Sequence, residues 1–365
     1  MRSSRPHASR VLNRARACSS TVDGRGPAVV DVAAELARAA GVVTPALRDA
    51  TDRLPEPMRP LAGFQFGWLD ISGRPVKASS GKLLRPALAL LSARAAGADE
   101  AAGLPAAVAV EFVHNFSLVH DDIMDHDEKR RHRATVWKAF GVPAAILLGD
   151  SLVTAAMEEL LRSDAPGAAR GARRLCRATQ GLVQGQADDM DFEQRANVSL
   201  EDCLVMHRGK TGELLACSSA LGAELQGADP ALVTALSSFG MHLGQAFQLV
   251  DDVLGLWGRP EVTGKPVRSD LRSGKKTAPV LAALASPCPA ADRLRDLLAA
   301  GDCGDPGTAA MAATLIEDAG GRAWAVARAR TFIRDGIGSL STVDIGAGVR
   351  SELEALARYV LLRDL

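Results

Sequence analysis

Aromatic side chains make up only 4% of this 365-residue chain, and β-branched residues run together only in short valine stretches. Such a sequence lacks the side chains that pack well on a pleated surface, which favours helices over sheets. Net charge is missing too: 43 Lys and Arg balance 43 Asp and Glu. That excludes a global field able to recruit nucleic acid or an anionic membrane, so any phosphate recognition must come from local clusters. No apolar run reaches the length of a transmembrane segment, and the positive N-terminus precedes no apolar core, so no secretory signal is expected. The six cysteines (Cys18, Cys176, Cys203, Cys217, Cys288 and Cys303) show no CxxC or other ligand spacing. They read as small core or surface residues of a reducing, cytoplasmic compartment.

What is present is ample core material, with 47% hydrophobic residues dominated by Ala, Leu and Val. Residues 1–28, rich in Arg, Ser and Gly, read as a flexible leader, with a transit peptide as the alternative. From Val29 onward apolar residues recur at helical spacing. Breaks are predicted near Gly41, Pro55–Pro60, Gly73–Pro75, Gly97, Gly141–Pro143, Asp164–Gly167, Gly227–Pro230, Gly258–Pro260, Pro287–Pro289 and Gly301–Gly307. Ten or more helices result, with no strand–turn–strand pattern between them. The polar motifs extend from Gly81 to Thr277 without a linker, which predicts one helical domain over 29–365.

Two aspartate pairs stand out, Asp121-Asp122-Ile-Met-Asp125 and Asp251-Asp252-Val-Leu-Gly255. At helical spacing His114, Leu118, Asp121, Asp122 and Asp125 share one stripe, and Gly244, Gln248, Asp251, Asp252 and Gly255 another. Carboxylates toward the C-terminal end of a helix meet the negative end of its dipole, so stability alone does not explain them. Facing stripes of this kind suit hard divalent cations such as Mg²⁺, which keep several waters and take a substrate's phosphates as further ligands. The pattern points to diphosphate chemistry.

Other clusters fit that reading. Gly81-Lys82-Leu83-Leu84-Arg85-Pro86 places two cations at a helix start, where free N–H groups also attract anions; a plain solvated helix end is the alternative. Lys129-Arg130-Arg131-His132-Arg133 follows the first acid motif, and a guanidinium fork matches phosphate oxygens two at a time. Asp189 could hold a metal-bound water or a lysine, or cap a surface turn. Lys210, before Thr211-Gly212, is one of eight lysines in an arginine-rich chain and suggests a point-charge role. Gly264-Lys265 and Asp270-Leu-Arg-Ser-Gly274-Lys275-Lys276-Thr277 form a Gly- and Lys-bearing stretch suited to covering phosphates.

Taken together these segments resemble the trans-isoprenyl diphosphate synthases (polyprenyl synthetases), most closely the bacterial geranylgeranyl diphosphate synthase type, from about Val29 to the C-terminus. DDIMD matches the family's DDxxD, residues 129–135 its RRGxPT segment, and FQLVDD its FQxxDD. The resemblance implies an all-α isoprenoid synthase-type bundle around a deep central hydrophobic cavity, usually a homodimer. It implies three Mg²⁺ ions, replaceable by Mn²⁺: two on Asp121 and Asp125 with Asp122 beside them, the third on Asp251 supported by Asp252. Arg130, Lys210 and Lys265 would grip the allylic diphosphate, with Lys275 on the covering loop. Lys82, Arg85, His114 and Arg131 would grip isopentenyl diphosphate, while Gln248 and Thr211 would stabilise the allylic cation.

Departures from the pattern are Gly255 in place of a third aspartate, Arg268 in place of glycine and Leu83 in place of arginine. Restoring the carboxylate, Gly255→Asp, is expected to be tolerated and to lower the Mg²⁺ requirement. A class I terpene cyclase is the alternative, but its Asn/Asp, Ser, Glu triad is absent: stepping on from Asp251 gives Gly255 and Arg259. A silent partner subunit would not need intact acid motifs. Phe116, five residues before Asp121, with small Ser117 beside it and no insertion in DDIMD, resembles the C20 arrangement. Its alternative is ordinary core packing.

Overall fold

Asp31 sets the start of the first helix, its carboxylate accepting from the Ala33 and Ala34 N–H groups as an N-cap does. The computed structural model describes residues 30–76, 81–195, 197–259, 267–301 and 303–362. Contacts along the chain divide it into Met1–Val30 and Asp31–Leu365, and the helical bundle is the second unit. The predicted leader over 1–28 lies outside the described residues.

Helix α1 (Val32–Asp52) continues through Gly41 and Pro45, so the break expected at Gly41 is not there. Proline inside a helix costs ~3 kcal/mol. The buried stripe of Leu36, Ala39, Val43 and Leu47 outweighs it, at roughly 1.5–3 kcal/mol for each fully buried large side chain. The other helices in chain order are α2 (Met58–Gln65), α3 (Leu84–Ala95), α4 (Leu104–Met124), α5 (Val136–Phe140), α6 (Val142–Leu161), α7 (Ala168–Gln194), α8 (Leu200–His207), α9 (Glu213–Leu225) and α10 (Pro230–Trp257). Then come α11 (Ser269–Arg272), α12 (Ala278–Leu284), α13 (Pro289–Ala299), α14 (Pro306–Asp318), α15 (Gly321–Leu340) and α16 (Ala347–Leu361).

Helix α9 is the central rod. It is buried at every position from Leu214 to Ala223, as a helix without a polar face must be, and it packs against α3, α4, α7 and α10. Those neighbours carry both acid motifs. With a preceding 3₁₀ turn, α4 forms a stretch, Glu100–Met124, long and apolar enough to cross a membrane, which corrects the reading of the apolar runs. Its most apolar window is 72% buried by neighbouring helices, so it is a core helix of the bundle. A separate small core of Leu256, Leu271, Val280, Leu294 and Ile316 fastens α11 to α14 against the end of α10.

One strand pair was not anticipated. Lys129–Arg130 pairs antiparallel with Arg133–Ala134, turned by Arg131 and His132 at φ 51° and 63°. A tight hairpin of this hand needs two positive φ angles and prefers Asn or Gly there, so nothing in Arg-His signalled it.

Candidate active site

The first acid motif closes α4: Asp121 and Asp122 lie in its last turn, Asp125 is its C-cap, and that turn holds no basic residue. The Asp121 carboxyl is pushed up to about 6 by burial, with Asp125 and Asp122 adding to the rise and Lys210 and Arg130 opposing it. Asp122 is 1% exposed and accepts from Arg130 Nε at 2.8 Å and Nη2 at 2.7 Å. It therefore fixes the ribbon arginine against the end of α4. The ribbon is also tied by Arg133, which donates to the Phe64 and Leu69 carbonyls, and by Thr135, whose hydroxyl donates to Asp127 O.

Beside it lies a part-buried cationic cluster. Arg85, at the start of α3, approaches His114 Nε2 at 3.4 Å, and its buried Nε has no partner. Burial pulls the guanidinium down to about 10, Arg131 adds to the fall, and Glu111 and Asp251 oppose it. His114 is held well below the ordinary imidazole range by burial and by Arg85, Arg131 and Arg130, so it is neutral. The Arg131 guanidinium lies on Gly81, where a Cβ would fall 2.6 Å from Nη2; the φ of +98° at Gly81 gives a second reason for glycine. Lys82 donates to the Tyr359 hydroxyl at 2.8 Å, bringing α16 to the cluster.

Glu111 belongs to this cluster although sequence reasoning gave it no role. Its signal was its place three residues before His114 on the same helix face. Burial pushes its carboxyl up to about 7, against Arg85, the Asn115 hydrogen bond and Arg131. A raised carboxyl favours the fold below its unfolded pKa, and that contribution is lost as pH rises through about 7. The melting temperature between pH 6 and 8 is therefore expected to fall more steeply in the parent protein than in Glu111→Gln. Parallel melting curves for the two would remove Glu111 as a titrating group.

Across the site, residues Arg208–Gly212 form one π turn between α8 and α9, a feature common at functional sites. It carries Lys210 and Thr211. Lys210 donates to Asp189 Oδ2 at 2.6 Å, so Asp189 holds a lysine. Thr211 donates to Gln248 Oε1 at 2.6 Å, and Gln248 Nε2 donates to Asp252 Oδ1 at 3.1 Å. The turn is pinched between α7 and α10: a Cβ at Gly185 would lie 2.1 Å from the Lys210 N, and one at Gly244 2.6 Å from the Gly212 Cα.

After α10, Lys275 Nζ reaches Asp125 Oδ2 at 3.7 Å and joins the two motifs. Lys265 lies outside the described residues. Gly255 faces Asp270, whose Oδ2 would be 1.9 Å from a Cβ there. Gly255→Asp therefore requires the Asp270 side chain to swing aside before the added carboxylate can reach the site. Arg268, at a position expected to be glycine, adopts a φ of +59°.

The polyprenyl synthetase family model matches residues 68–313, a span that contains every element of this site up to α14. The chain belongs to the polyprenyl synthetase family. It is 48% identical over 326 residues to a (2E,6E)-farnesyl diphosphate synthase of Mycobacterium tuberculosis, covering 88% of this chain and 90% of that one. It is 43% identical over 287 residues to a geranylgeranyl diphosphate synthase of the same organism, covering 78% and 82%. The crystal structure of a polyprenyl synthetase from Streptomyces coelicolor superposes with a TM-score of 0.86 at 49% identity, over 90% of this chain and 99% of that one. The protein is accordingly a trans-prenyltransferase with the all-α isoprenoid synthase fold.

For a polyprenyl synthetase the donor set suits Mg²⁺: Asp121, Asp125 and Asp251 offer hard oxygen acceptors, and burial, with Asp125 and Asp122 adding, raises the Asp121 carboxyl. Among the described residues only Cys203, His207 and Asp252 already bring three ligand atoms within 4.8 Å of one another; Asp121, Asp125 and Asp251 do not. His207, which the sequence did not single out, is fully buried, and Asp252 and Cys203 more than offset its burial, carrying it up to about 10. Phe116 is half-buried and meets His120 edge-on at 4.9 Å; one turn below it Phe112 is fully buried.

Proposed function

We propose that this prenyltransferase condenses isopentenyl diphosphate with an allylic diphosphate and stops at the C20 product, geranylgeranyl diphosphate. The reading is supported by interactions that link members of the two acid motifs to members of the two cation sets. Arg85 of α3 responds to Asp251 of α10, and Asp121 of α4 responds to Lys210 and Arg130. Departure of diphosphate builds negative charge on its oxygens. Bound Mg²⁺, held by Asp121, Asp125 and Asp251 as three ions, would supply Lewis-acid neutralisation there. Arg130, Lys210, Lys265 and Lys275 add fixed positive charge to the same leaving group. Lys82, Arg85, Arg131 and neutral His114 hold the second diphosphate, and the unpartnered Arg85 Nε supports an anion at that place. Thr211 and Gln248 present oxygen to the electron-poor allylic carbon, and apolar walls keep it dry until the alkene attacks.

Several further features fit this reading. Cys176, Cys203, Cys217 and Cys288 form no disulfide, in keeping with a reducing cytoplasm. Val142, Ile146 and Leu147 are exposed along α6, which supports pairing with a second copy in a homodimer.

Product length rests on Phe116, five residues before Asp121, with Ser117 small beside it. A second reading, termination at C15, is favoured by the 48% identical farnesyl diphosphate synthase. Incubation with isopentenyl diphosphate and C5, C10 or C15 primers, followed by mass spectrometry, decides between them. Phe116→Ala is expected to give C25 or longer products, because it opens about 6 Å of helix down to Phe112. An active, folded variant with unchanged product length would show that Phe116 is not the floor.

A further inference from the structure

We infer that His207 is a positioning residue for the ionisation step: through Asp252 it fixes which way the Gln248 amide and the Thr211 hydroxyl face. Four side chains close a circuit. His207 Nε2 lies 3.3 Å from Asp252 Oδ2, Asp252 Oδ1 accepts from Gln248 Nε2, and Gln248 Oε1 accepts from Thr211. His207 and Thr211 stand at either end of the π turn, four residues apart, while Gln248 and Asp252 stand one turn apart on α10. Asp252 Oδ2 also accepts from the Ala278 N–H at 3.0 Å. With that oxygen held from behind by His207 and Ala278, only Oδ1 is turned toward Gln248.

Direction follows from donor inventory. A carboxylate only accepts, so Gln248 must offer it the amide NH₂, which leaves the amide oxygen to Thr211. The single Thr211 hydrogen is then spent on Gln248, and the lone pairs of its oxygen remain for a neighbouring electron-poor carbon. Without His207 the Ala278 N–H alone holds Oδ2, so the carboxylate can tilt about that single contact and the Gln248 amide is freer to turn over. Thr211 could then accept from Gln248 and present its hydrogen, with its positive end, to the cation. The Cys203 Sγ, 3.5 Å from His207 Nε2, completes the enclosure on α8. The trio also has the ligand types of a metal centre, but both Asp252 oxygens are already occupied by N–H donors.

The test is the single-turnover rate of allylic diphosphate consumption at saturating Mg²⁺. His207→Leu is expected to slow it roughly 10- to 100-fold, the usual cost of losing a group that orients a reacting side chain. The KM for isopentenyl diphosphate should stay within about twofold, because that pocket does not include the circuit. His207→Gln, which keeps a donor, should recover most of the rate. In a Gln248→Leu background the same His207 change should cost little, since its effect passes through Gln248. If His207→Leu does not fold, His207→Asn, polar but too short to reach Asp252, takes its place with the same expected loss. Additive losses in the double variant, no recovery in His207→Gln, or stoichiometric metal bound to the Cys203 site in the purified protein would each overturn the proposal.

Discussion

Asp121→Ala is expected to lower turnover by roughly a thousandfold or more, the scale reached when a main electrostatic stabiliser of the transition state is removed. The size of the effect follows from how its neighbours are committed. Asp122 is sealed against Arg130, Asp125 already faces Lys275, and Asp189 is occupied by Lys210. Among the described residues, neither Asp122 nor Asp189 is placed to take over the share of the cation that Asp121 would hold beside Asp125. Steady-state turnover at saturating Mg²⁺ and substrates measures this, with Mn²⁺ as a second ion. Near-parental turnover in the variant would remove Asp121 from the metal site.

A single methyl group at Gly185 should be nearly as damaging. The added Cβ would lie 2.1 Å from the Lys210 N and 2.7 Å from its Cα, atoms of backbone that cannot rotate aside. On the far side of the turn Gly244 already touches Gly212, so there is no slack to absorb the push. Gly185→Ala is expected to cost ~1–3 kcal/mol of stability, as overpacking does. It should also lower turnover about a hundredfold, because a shift near 1 Å in a positioning element costs that much. Gly181→Ala is the matched comparison: its Cβ would meet the Glu213 side chain, which can swing away, so the loss there should be small. Equal activity in the two variants would show that the π turn is not held as tightly as its contacts indicate.

Much of the fold and of the site was legible in the sequence because each signal was local. Helical spacing, the proline and glycine breaks and the acid stripes all concern residues within a turn or two of each other, and Arg85, His114 and Arg131 lie close together. What stayed hidden depends on residues distant in the chain. His207 gives no local sign of its role, since its partner Asp252 arrives from α10. Tyr359 meets Lys82 only because α16 folds back onto α3. The Arg131–His132 hairpin was missed for the opposite reason: its local signal pointed the wrong way, and tertiary ties through Asp122 and Arg133 override it.

The Asp270 carboxylate in the space beside Gly255 has a bearing on how this chain can change with time. Along the backbone, its second acid motif looks eroded; in space, a negative charge stands in the same volume, supplied from a different segment. The two positions are therefore no longer independent. An acid at Gly255 would meet the Asp270 carboxylate and needs it to turn aside, while loss of Asp270 would open the space beside Gly255. A substitution at either residue therefore changes the space available to the other.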